Sequence, residues 1–116
     1  KDAVEKKAND IAKEELNWVL SNTDDERMKH IVNARLARLL SAEGNNEGAL
    51  AMLNATLPQF EPGYLELKGH IKSRMGEKEA AIDAYSRAFQ LIKGRPQAQP
   101  LLAVKLSDLG VNPETL

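Results

Sequence analysis

One string of small and large side chains occurs twice along this chain, and every member is displaced by the same interval. Ala37, Leu40, Gly44, Ala49 and Leu53 return as Gly69, Lys72, Gly76, Ala81 and Tyr85. A period of about 34 residues, with a glycine between two amphipathic stretches, is the mark of a repeated helix-turn-helix unit, and the interval here falls close to it. One such unit cannot bury its apolar face alone, so neighbouring units stack, and the stack offers its surface for binding rather than for chemistry.

The helices follow from periodicity and punctuation. Ala8, Ile11, Ala12, Leu16, Val19 and Leu20 recur at helical spacing, predicting a first helix from about Ala3 to Leu20 that Ser21-Asn22-Thr23 breaks. Thr23 and Glu26 form a capping-box pattern, with Asp24 and Asp25 suited to the positive end of a second helix. That helix is predicted to run to about Glu43 and to end at Gly44, which takes the left-handed backbone a helix end needs. A third spans roughly Asn46 to Leu57 before Pro58. Pro62 opens a fourth, which Gly76 closes as Gly44 closed the second. A fifth covers about Lys78 to Ile92, and a sixth about Gln97 to Leu109. No stretch shows sustained strand alternation, so the fold is all-α, a stack of antiparallel helical hairpins with a C-terminal capping helix.

Aligning Ala12, Leu16 and Val19 with Ala49, Leu53 and Thr56 makes the first helix the second half of a truncated repeat. The organisation is then one domain over residues 1–116: a half repeat at 1–22, repeats at 23–58 and 59–94, and a cap at 95–116. Within a hairpin the helix axes approach closely only where side chains are small. Ala37 with Ala49, and Gly69 with Ala81, are placed at the two crossings. Leu53 and Tyr85 are expected to fill the space beside them, and Thr56 and Ala88 to let the next unit dock.

Composition narrows the function. The 116 residues carry a net charge of −1, with acids and bases interleaved, so no global field would hold nucleic acid. There is no cysteine, hence no disulfide, thiolate nucleophile or cysteine-based zinc site. No apolar run approaches the roughly 20 residues of a membrane span, and the chain does not begin with Met, as a piece of something longer would not. His30 and His70, the two imidazoles, have no His or Cys at ligand spacing. Glu14, Glu15, Asp24, Asp25 and Glu26 sit at helix ends and exposed faces, where solvation and capping explain them. No metal, cofactor or catalytic pair is implied, and the chain is expected not to be an enzyme. Trp18 is expected against the second helix rather than exposed for recognition. The leucines of the last helix suit a cap, the alternative being an exposed apolar strip for a partner. An array cut mid-repeat leaves the first helix with an open face through which a homodimer can form, an expected artefact of the truncation.

Leu65, Gly69, Gly76, Ala81, Tyr85 and Ala88 resemble the tetratricopeptide consensus over about half the chain, Lys72 departing from it where an aromatic is usual. More narrowly, the run from Asp24 to Leu39, the segment Gly44 to Leu50 and Leu67-Lys68-Gly69-His70 resemble the YfgM family of bacterial proteins. In that family a short cytoplasmic tail and one membrane helix precede a periplasmic tetratricopeptide domain. The resemblance implies an accessory to the Sec translocon at the periplasmic side of the inner membrane. Its partners would be Sec subunits and periplasmic chaperones, including a membrane-bound prolyl-isomerase-like one. The alternative is a scaffold or adaptor using the same repeat in an unrelated complex. In this kind of repeat the concave face would carry Arg38, Ser41, Glu66, His70, Ser73 and Arg74. That set does not reproduce the Lys/Asn/Arg carboxylate clamp of some cytosolic tetratricopeptide proteins, because Ala34 stands where a cation is expected.

Overall fold

A computed structural model describes residues 3–54, 57–95 and 101–116, and among them finds six α-helices and no strand. They are α1 (Ala3–Asn22), α2 (Glu26–Ala42), α3 (Asn46–Ala51), α4 (Glu61–Arg74), α5 (Lys78–Leu91) and α6 (Leu102–Asp108). The chain divides into two compact units, Lys1–Leu53 and Asn54–Leu116.

In the first unit α2 packs against both α1 and α3. Val32, Leu36, Ala37 and Ala49 are buried, Ala37 and Ala49 completely. None of the 20 residues of α1 reaches full burial. The side that is partly covered holds Ala12, Leu16, Val19 and Leu20. Trp18 projects elsewhere and is 66% exposed, which overturns the expectation that it packs on α2. It lies about 100° around the helix from Val19, and that turn carries it off the covered side.

The start of α2 also differs from the capping-box reading. Asp25 is the N-cap, its Oδ1 accepting from the Arg27 and Met28 amides at 2.9 and 3.4 Å. The Thr23 hydroxyl instead accepts from the Asp25 amide at 3.1 Å. A carboxylate is the stronger acceptor at the positive end of a helix, so the cap falls on the aspartate.

The glycine stops behave alike in both hairpins. Gly44 and Gly76 have φ of +90° and +79°. After each, the next amide reaches back along the helix, Asn45 to the Leu40 carbonyl at 2.8 Å and Glu77 to that of Lys72 at 3.0 Å. The glycine amides bond the carbonyls of Ser41 and Ser73, completing two Schellman closures at equivalent places in the repeat.

α3 is much shorter than its spacing predicts, ending at Ala51 instead of near Leu57. Met52 and Leu53 close it with tighter bonds, to the carbonyls of Ala49 and Leu50. Pro58 then holds Leu57 in extended backbone, ahead of a 3-10 turn at Pro58–Phe60. Leu53 is therefore a half-buried residue past the helix end, and Thr56 lies outside the described residues.

In the second unit α4 and α5 form a full hairpin of 14 residues each. Leu65, Ala81, Tyr85, Ala88, Ile92, Leu102 and Leu106 make one buried cluster, with Phe89, Leu109, Val111 and Leu116 packed on it. A Cβ on Gly69 would sit 2.7 Å from the Tyr85 ring, so the missing side chain is what admits the aromatic against the α4 backbone. α6 docks Leu102 and Leu106 into this cluster and leaves Leu101 and Val104 exposed. The part of the sixth helix expected before Leu101 falls on residues 96–100, outside the described residues.

Candidate functional site

In the first unit, α1 and α2 enclose a groove of about 480 Å³. Ala12 and Leu16 of α1 and Leu39 of α2 give it an apolar lining, while Glu15 of α1 and Arg35 and Arg38 of α2 supply charge. Arg35 and Arg38 lie three apart on α2, hence on neighbouring positions of one face. Both are exposed, and neither is engaged in an ion pair within the described residues. Two guanidiniums over aliphatic side chains suit a peptide segment that mixes carboxylate and apolar groups, since guanidinium pairs with carboxylate in a forked geometry.

A smaller space of about 340 Å³ in the same unit is lined by Lys6, Asn9, Lys13 and Glu43. Its charges satisfy one another: Lys13 Nζ donates to Glu43 at 2.7 Å and lies 3.5 Å from Asp10. The bond to Glu43 holds the lysine above its ordinary pKa, against a smaller opposing effect of burial.

Ser41 does not share the exposed surface on which the sequence pattern places it. It is instead buried, and its hydroxyl donates to Asn46 Oδ1 at 2.8 Å, joining α2 to α3. The residue that accompanies Arg38 in the groove is Arg35, which sequence reasoning passed over, although its spacing from Arg38 was a usable signal.

In the second unit, Glu66, His70, Ser73 and Arg74 fall within one face of α4 by their spacing, and the last three are exposed. Glu66 is committed elsewhere. Its carboxylate accepts from Lys105 Nζ of α6 at 2.7 Å, and that ammonium lies 5.9 Å from the centre of the Tyr85 ring. Burial, and secondarily the Glu66 charge, push the Tyr85 hydroxyl above its ordinary pKa. Lys105 is thus a fastener of the last helix, and it lies so far along the chain from its partner that no local pattern could have paired them.

His30 is buried in α2 with its Nδ1 at 2.7 Å from the Glu26 carbonyl, a bond within its own helix. Among the described residues no group of three or more His, Cys, Asp and Glu is placed to hold a metal ion. No helix among them is long and apolar enough to cross a membrane.

Repeated hairpins and paired glycine closures define a helical-repeat fold. The family described as tetratricopeptide repeat-like domain matches residues 1–111, and the chain belongs to it. Among curated proteins the chain is similar to the ancillary SecYEG translocon subunit of Neisseria gonorrhoeae (strain ATCC 700825 / FA 1090), at 29% identity over 101 residues. The match covers 86% of this chain and 48% of that protein, so the chain spans about half the length of its relative. No solved structure matches it.

Proposed function

We propose that this chain is a non-catalytic docking module, the periplasmic portion of a membrane-tethered accessory that serves the Sec translocon. It binds proteins through the α1–α2 groove, with Arg35 and Arg38 as its charged contacts, and through the His70, Ser73 and Arg74 face of α4. Sec subunits are one class of partner; periplasmic chaperones that receive the emerging chain are the other. The groove carries this reading, because it joins apolar lining to exposed cations in a fold whose relative is a translocon subunit. A contact of this size is weak and readily exchanged, which suits the passing of a substrate from one partner to the next.

Site-specific photocrosslinking in living cells, with probes at Arg38, His70 and Arg74 in the natural protein, tests the proposal. Crosslinks to Sec channel subunits or periplasmic folding factors are the expected outcome. Crosslinks confined to unrelated proteins would contradict it and favour an adaptor in a different complex.

A further inference from the structure

We draw no further inference here: the strongest candidate, the outer apolar face of α6 with Leu101 and Val104 exposed, is an unpartnered surface, and nothing in the structure shows what covers it.

Discussion

The hairpins α2–α3 and α4–α5 obey one repeat code and build different things with it. Both end their first helix on a left-handed glycine closed by the same pair of backbone bonds, and both bury an alanine early in the second helix. They part at equivalent positions of the repeat: Ala37 with Leu53 in one, Gly69 with Tyr85 in the other. The glycine lets the tyrosine ring lie on the backbone, and α5 runs on for 14 residues around that contact. In the first hairpin α3 ends after 6 residues, Leu53 is only half covered, and polar bonds take over. There Ser41 joins Asn46, and Asn45 caps α3 through the Gly48 amide at 2.9 Å. The lesson is that the glycine closures set where the turns fall, whereas the large residue that follows sets how much core each hairpin owns.

The sharpest way to break this comparison is to delete that large residue in each hairpin. Tyr85→Ala should cost about 3–5 kcal/mol, the range for a buried aromatic, while Leu53→Ala should cost about 1 kcal/mol, since the site is half exposed. Equal shifts in urea denaturation would show that the two positions are packed alike. Next in size is the close approach itself. Gly69→Ala should destabilise by about 1–3 kcal/mol through overlap with the Tyr85 ring, and Ala81→Leu by a similar amount. Ala37→Gly, the reciprocal change, should cost only about 0.5–1 kcal/mol from helix entropy. A Gly69→Ala melting curve that does not move would place the ring elsewhere.

The caps sharpen the contrast further. Asn45→Ala removes the side-chain bond that starts α3 and should cost about 1 kcal/mol. Glu77, at the matching place before α5, makes no capping bond. It pairs at the surface with Lys72 at 3.1 Å, and Glu77→Ala should cost at most about 0.5 kcal/mol. The smallest effect is electrostatic. Because the Tyr85 hydroxyl titrates higher folded than unfolded, the unfolded chain loses its proton first, and stability falls as pH rises through about 10 and beyond. Tyr85→Phe should flatten that alkaline loss in thermal melts between about pH 9 and 11, while Lys13, also raised, contributes equally to both proteins. A variant as alkali-sensitive as the parent would assign the loss to other groups.

Much of the fold was legible because it is written in local marks. Gly44 and Gly76 stop helices for a backbone reason that needs no tertiary context, and the constant offset ties the small residues together. The misreadings share a cause: each depends on what lies opposite. Trp18 is apolar, and hydrophobicity alone does not tell which side of α1 has a neighbour. Ser41 occupies the register of exposed Ser73, yet Asn46 follows it across the turn where Lys78 follows Ser73, and the amide draws the hydroxyl inward. Glu66 reads as a groove residue until α6 brings Lys105 onto it. Of the candidate site, Arg38, His70, Ser73 and Arg74 remain on exposed surface, and Arg35 joins them.

The first unit's groove is proposed as a protein-binding surface in its own right. The most direct measurement is capture of the detergent-solubilised translocon by the tagged natural protein, comparing Arg35→Glu/Arg38→Glu with His70→Glu/Arg74→Glu. Circular dichroism would confirm that both variants keep their helices. Capture is expected to fall about tenfold or more for the paired arginine variant, and less for the α4 variant. Undiminished capture by Arg35→Glu/Arg38→Glu would contradict it.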